Sequence, residues 1–249
     1  MTFDELISDL AGRVGVDGGF SADADGVVRV EIDGFVIAFR DVPEGGQLLM
    51  WCRFGEAPSE DERVRTAEDL LRANFRCRGG RGVLSLGEDG ALYAHRYVQL
   101  AGLDADGFVA GALEDFLRLL SARAQGDAEF GESGMGREHL VEADVCAVPE
   151  TGREKFLGAL ARANFMGQGA AGGALAVSDD GRVVLYRYLS EDGLTDEARE
   201  VALETLAATV LEWRRIADDY GPAAERAART ETEANDLQER ALCGGVMRV

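Results

Sequence analysis

The sequence predicts an α+β fold in which one structural unit is used twice, first in full and then in part. Two observations carry this. Apolar residues recur at helical spacing in some segments and alternate or run together in others, with glycine-rich turns between them. The two halves also share short matches in the same order. Leu71-Arg72-Ala73-Asn74-Phe75 answers Ala161-Arg162-Ala163-Asn164-Phe165, Asp89-Gly90 answers Asp180-Gly181, and Arg96-Tyr97 answers Arg187-Tyr188. Gly102-Leu103 answers Gly193-Leu194, and Ala112-Leu113-Glu114 answers Ala202-Leu203-Glu204. So many ordered matches indicate duplication.

The first helix opens on Thr2-x-x-Glu5, a capping box in which each side chain satisfies the other residue's free N–H. Phe3, Leu6, Ile7, Leu10 and Val14 follow as one stripe. Val27–Ile32 and Phe35–Phe39 read as strands joined at Asp33-Gly34, a tight hairpin signal, and Leu48–Phe54 reads as a third. Ser59-x-x-Glu62 announces a second helix, lined by Val64, Ala67, Leu70, Leu71 and Phe75, with Asn74 and the glycines beyond it as terminators. Val83–Leu86 and Ala91–Val98 form a further hairpin. A long helix from Asp104 then carries Phe108, Val109, Ala112, Leu113, Phe116, Leu117 and Leu120. This unit reads α-β-β-β-α-β-β-α over residues 1–124.

Residues 125–136 are small, polar and acidic, and read as a linker. Over 137–220 the pattern restarts without its first helix and first two strands, as β-α-β-β-α. A strand at His139–Val148 precedes a helix with a third capping box, Thr151-x-x-Glu154. Strands at Ala174–Val177 and Val183–Leu189 follow, then a long helix capped by Thr195. Residues 221–249, whose apolar content is mostly alanine, read as a frayed helix or mobile tail.

Composition narrows the function. With 46 acidic against 26 basic residues and a net charge of -20, the surface repels phosphate backbones and anionic lipid heads, so nucleic acid is not expected as a partner. The N-terminus is acidic and amphipathic where a secretory signal needs a basic start and an apolar run. No stretch approaches the apolar length of a membrane span, so membrane insertion is not expected either. Cys52, Cys77, Cys146 and Cys243 are widely spaced, as expected of reduced thiols in a cytoplasm.

Catalytic patterns are sparse. Gly167-x-Gly169-x-x-Gly172 has the letters of a dinucleotide fingerprint. It follows a helix and precedes a strand, so the nearby helix terminus is the negative one and the segment reads as an αβ turn. His95 and His139 are the only histidines, too few for a histidine-built metal site, and His95 reads as a half-exposed strand position. No cofactor, metal ion or enzymatic activity is expected. The first unit's strands are instead apolar on both faces, and uncovered apolar sheet marks an interface that can grip an extended peptide. A second unit or a twin chain is the other candidate cover.

The element order, with Leu70–Phe75, the glycine turn, the hairpin and Leu103 before a long helix, resembles the Tir-chaperone (CesT-like) family of class I type III secretion chaperones. Ala163-Asn164, Gly172-Gly173, Leu175–Val177, Arg187, Gly193-Leu194 and Glu212-Trp213 carry the resemblance in the second copy. It covers roughly residues 3–124 and 140–217 by pattern. The resemblance implies a non-enzymatic protein of the bacterial cytoplasm that binds the extended N-terminal segment of a secreted effector and keeps it soluble and export-competent. It implies a binding groove of first helix and sheet, here matching Leu6, Ile7, Leu10, Val28, Val30, Phe35, Ile37, Leu49 and Trp51. It also implies dimerisation, either between two chains or, because the unit is duplicated, as an intramolecular pseudo-dimer in which the truncated copy serves mainly as structural partner. The alternative is a non-secretory regulatory or structural adaptor that binds a folded protein.

Overall fold

The computed structural model describes residues 1–43, 46–76, 82–125, 138–190 and 195–220. At its start the first capping box forms as the sequence dictates. The Thr2 hydroxyl accepts from the Glu5 N–H at 3.2 Å, and the Glu5 carboxylate accepts from the Thr2 N–H at 2.8 Å. Helix α1 (Phe3–Arg13) lays Leu6, Ile7, Leu10 and Ala11 onto a sheet. Strands β1 (Val27–Ile32) and β2 (Phe35–Val42) meet at Asp33 and Gly34, both with positive φ, the geometry a two-residue hairpin with right-handed twist needs. Strand β3 (Gln47–Gly55) follows, then a 3-10 turn at Glu60–Glu62 and helix α2 (Arg63–Arg76). The Ser59 hydroxyl donates to the Glu62 carboxylate at 2.6 Å and makes no capping bond to backbone, so the second expected box is not completed.

After α2 come β4 (Val83–Leu86) and β5 (Leu92–Gln99). A short helix α3 (Ala105–Gly107), capped by Asp104, runs through a π-helical stretch at Phe108–Leu113 into α4 (Glu114–Gln125). The five strands form an antiparallel sheet in the order β1-β2-β3-β5-β4. Its core face carries Val28, Val30, Ile37, Phe39, Leu48 and Met50 against the helices, where Phe108, Phe116, Leu119 and Leu120 are also buried. Phe39 and Phe108 meet edge to face with ring centroids 6.4 Å apart.

The second half consists of β6 (Glu138–Ala147), α5 (Arg153–Ala163), a 3-10 turn at Phe165–Gly167, β7 (Ala174–Val177), β8 (Arg182–Ser190) and α6 (Asp196–Asp219). Its sheet runs β6-β8-β7, the same order as β3-β5-β4, so the truncated copy keeps the register of the complete one. The third expected box does not form. Gly152, with φ +62°, occupies the cap position, and the Thr151 hydroxyl donates instead to the Tyr220 carbonyl at 2.8 Å. The glycine run 167–172 is an αβ turn, as its sequence context requires. Of the expected linker only residue 125 is described, and the expected tail at 221–249 lies outside the described residues.

The two halves meet through α2 and α5. Helix α2 packs on its own β4 and on β7, and α5 packs on its own β7 and on β4, with α2 and α5 against each other. Packing is therefore reciprocal, as between subunits of a two-fold dimer.

Candidate functional site

The recurring Ala-Asn-Phe element turns out to be a backbone clamp. Asn74 lies inside α2, fully buried, and does not terminate it as the sequence suggested; the helix runs on to Arg76. Its side-chain oxygen accepts from the Leu84 N–H at 2.8 Å, and its amide donates to the Leu84 carbonyl at 2.9 Å. Asn164 does the same to Leu175, accepting at 2.7 Å and donating at 2.8 Å. Each asparagine thus stitches a helix end to the strand that follows, and satisfies backbone groups that would otherwise be buried unpaired. Asn74 also crosses between halves, donating to the Leu175 carbonyl at 3.4 Å.

Around this clamp lie further bonds between the halves. The Tyr186 hydroxyl donates to the Asn74 carbonyl at 3.1 Å and the Tyr97 hydroxyl to the Met166 carbonyl at 2.9 Å. Tyr93 and Phe165 meet edge to face at 5.0 Å. Arg153 reaches Glu68 at 2.8 Å, and Arg76 reaches Asp179 at 3.1 Å. Burial pushes the Glu68 carboxyl upward, but hydrogen bonds from Arg153 and Arg72 more than offset this and hold it below its usual value. None of these inter-half contacts was legible in the sequence, beyond the fact that Asn and Tyr sit inside recurring motifs.

The nine residues expected to line a groove divide by face. Leu6, Ile7 and Leu10 pack with Val28, Val30, Phe35 and Ile37 on the core side of the first sheet. Leu49 and Trp51 project from the other side, because they pair with Arg40 and Ala38, which alternate with Ile37 and Phe39. Seven of the nine are buried, whereas Phe35 and Trp51 are half-buried and reachable. Met1, Phe3, Phe20 and Ile32, half-buried like Phe35, also pack against this core. On the opposite face Val36 is exposed and Arg40 lies 6.0 Å from the Trp51 ring centroid.

A cleft of about 250 Å³ opens between the halves, where β4 and β5 face β7 and β8. His95 lines it and is 1% exposed, not the half-exposed position its strand context suggested. Burial pushes its pKa down to about 4, so it is neutral at pH 7. Cys52 and Cys146 are free thiols whose pKa burial raises to about 11, which leaves them protonated and unreactive. Among the described residues no helix is long and apolar enough to span a membrane, and no cluster of His, Cys, Asp and Glu is placed to hold a metal.

With the repeated architecture and its clamp in view, the comparisons with known proteins bear directly on it. The model of the Tir chaperone protein (CesT) family matches residues 5–123 and again 136–214. This chain belongs to the Tir chaperone protein family. The double match agrees with the two copies described above. No curated protein is similar to it at a significant level. Among solved structures, a chain of the ExsC-ExsE complex is 18% identical with a TM-score of 0.40, covering 50% of this chain and 96% of its own. A chain of the HopA1-SchA chaperone-effector complex is 15% identical with a TM-score of 0.40, covering 49% and 93%. A chain of the Yersinia pestis type III secretion chaperone SycH in complex with a stable fragment of YscM2 is 18% identical with a TM-score of 0.36, covering 50% and 98%.

Proposed function

We propose that this chain is a type III secretion chaperone. It binds the extended N-terminal segment of a secreted effector in the bacterial cytoplasm and keeps that segment soluble and competent for export, without enzymatic activity or cofactor. The observation that carries this reading is membership of the Tir chaperone family over both halves of the chain. The adaptor that binds a folded protein has no comparable support.

The binding surface is built on the first unit's sheet, reached from the α1 side at Phe35 and from the opposite side at Trp51, with the nine residues from Leu6 to Trp51 in two roles. Phe35 and Trp51 are accessible and contact the effector, while the seven buried residues hold the surface in shape. Aromatic side chains suit this task, since each buries a large apolar area at little entropic cost. Reciprocal packing of α2 and α5 supports a chain that is its own pseudo-dimer, with the second half completing the body against which the first presents its surface.

Coexpression with a candidate effector tests this. The chain should copurify with the effector's N-terminal segment alone, and Phe35→Asp or Trp51→Asp should weaken capture while circular dichroism stays unchanged. Capture of folded proteins only, never of an extended N-terminal segment, would favour the adaptor. Unliganded, the protein should run at the 26.7 kDa of one chain. A stable species of twice that mass would show that the pseudo-dimer does not replace dimerisation.

A further inference from the structure

The side of the first sheet turned away from α1 has a chemistry that runs against the rest of the chain. Register places Arg29 of β1, Val36 and Arg40 of β2, and Trp51 and Arg53 of β3 on this side, where Glu31 is the one acidic residue of these strands. Three arginines against one glutamate make a basic strip in a chain whose net charge is -20. Arg29 is paired with Asp23, and Arg53 with Glu56 at 2.7 Å. Arg40 is exposed, has no ion pair among the described residues, and sets its guanidinium over the Trp51 ring, 6.0 Å from the centroid. Val36 beside it is 54% exposed, so cation, aromatic ring and aliphatic side chain are all within reach of a ligand.

The second copy supplies the contrast. Trp51 and Arg53 pair with His95 and Tyr93 of β5, whose counterparts on β8 are Tyr186 and Val184. The residues paired with those counterparts are Glu142 and Asp144. Strands equivalent to β1 and β2, which carry Arg29, Val36 and Arg40, are absent from the second sheet among the described residues. The basic and apolar strip therefore belongs to the complete copy, and the matching side of the truncated copy is acidic. Exposed arginine beside exposed apolar side chains fits a ligand that carries carboxylates and apolar groups together. The net charge of -20 repels long polyanions such as nucleic acid or an anionic bilayer, so the fitting occupant is a short segment with only a few carboxylates.

We propose that the segment held on the Trp51 side of the first sheet is an acidic one, an extended stretch whose sheet-facing residues alternate carboxylates with apolar side chains. A carboxylate pairs with the planar fork of Arg40, and an apolar side chain packs on Trp51 and Val36. Every second residue of an extended chain faces the same way, so both kinds of group reach the sheet when polar residues separate them. Arg40 leads, because Arg29 and Arg53 must first share or release carboxylates of their own. This rests on the reading that the chain holds an extended effector segment, and adds to it the charge of that segment.

The peptide Glu-Ser-Val-Ser-Glu-Ser-Val-Ser-Glu titrated into the ¹⁵N-labelled full chain at pH 7 tests this, with glutamine replacing every glutamate in the control. Saturable amide shifts around Ala38, Arg40 and Trp51 are expected for the glutamate peptide, with the glutamine peptide at least about fivefold weaker. Arg40→Gln should weaken the glutamate peptide about fivefold and leave the glutamine peptide unchanged. The two peptides on the parent chain decide the matter if Arg40→Gln does not fold. Equal binding of both peptides at these amides overturns the acidic preference and leaves the extended-segment reading standing. Equal losses for both peptides in Arg40→Gln also overturn it, since Arg40 would then act only by packing on Trp51. No saturable shift with the glutamate peptide at roughly 1 mM overturns it too, while the chaperone reading is decided separately by capture of an effector's N-terminal segment.

Discussion

Strands β3 and β6 occupy the same position in their two sheets, each beside the strand that carries the Arg-Tyr pair, yet they live in opposite environments. β3 is flanked by β2 and β5, and its central residues Leu48, Leu49 and Met50 are buried in succession on both faces. β6 pairs only with β8 among the described residues, and Leu140, Glu142 and Asp144 are exposed while Val145 is buried. A continuous apolar run marks a strand covered on both faces, and alternation marks one that is covered on a single face. The difference also shows how an edge is protected once its neighbours are lost. β6 is studded with acidic side chains, carries an irregularity between Asp144 and Cys146, and has the carbonyls of Asp144 and Val145 occupied by Arg214, each at 2.8 Å.

A fully covered strand position and an edge-strand position should therefore respond very differently to charge. Ile37→Asp in the complete sheet buries a carboxylate in a fully enclosed site and should cost about 4 kcal/mol or more, enough to unfold the chain by circular dichroism. Leu140→Asp on β6 should change stability by less than about 0.5 kcal/mol in urea denaturation. If Ile37→Asp leaves the fold intact, that side of the first sheet is an open groove and not core.

The buried His95 gives the next largest effect. The folded state holds His95 at about 4 against 6.5 for a free histidine, so the unfolded chain binds the extra proton first. Its contribution is complete above pH 6.5, falls as pH drops through the window from 6.5 to 4, and is gone below it. The loss is about 3 kcal/mol at about 1.4 kcal/mol per pH unit. Urea midpoints across that window should fall in the parent, and His95→Tyr should flatten the slope. Hydrogen bonds to the Asp23 and Asp144 carboxylates, given mainly by Arg29 and Arg182, hold those groups below their usual range, so they titrate at lower pH.

A third contrast concerns the two clamps. Asn74→Ala should cost roughly 2 to 3 kcal/mol, because it strips the Leu84 backbone and one contact to the other half. Asn164→Ala should cost about 1 kcal/mol less, since its bonds stay within one copy. Equal losses would mean that the Asn74–Leu175 bond across the junction is energetically silent. The smallest effect belongs to the surface link between halves: Arg76→Ala, which breaks an exposed pair with Asp179, should cost less than about 0.5 kcal/mol and vanish at high salt.

Local signals placed most elements because their causes are local. The Thr2–Glu5 box, the Asp33-Gly34 turn and the helical stripe of Leu6, Ile7 and Leu10 depend on neighbours within four residues, and all three formed as read. Signals that compete with distant partners failed. Thr151 is three residues from Glu154, as a capping box requires, but its hydroxyl bonds the Tyr220 carbonyl across the fold. Asn74 has the chemistry of a terminator, but strand β4 offers it two backbone groups. The candidate site was legible as a set of apolar positions, without the sidedness that separates Leu49 and Trp51 from Ile37.

Sequence alone was sufficient for the α+β class, the order of elements and the duplication, since periodicity, turn chemistry and recurrence are properties of the chain itself. Tertiary structure decided what covers what. It made Asn74 and Asn164 clamps, buried His95 in the wall of a cleft between the halves, and left β6 at the edge of its sheet among the described residues. Burial belongs to pairs of surfaces brought together by folding, so a residue's own neighbours in sequence cannot report it.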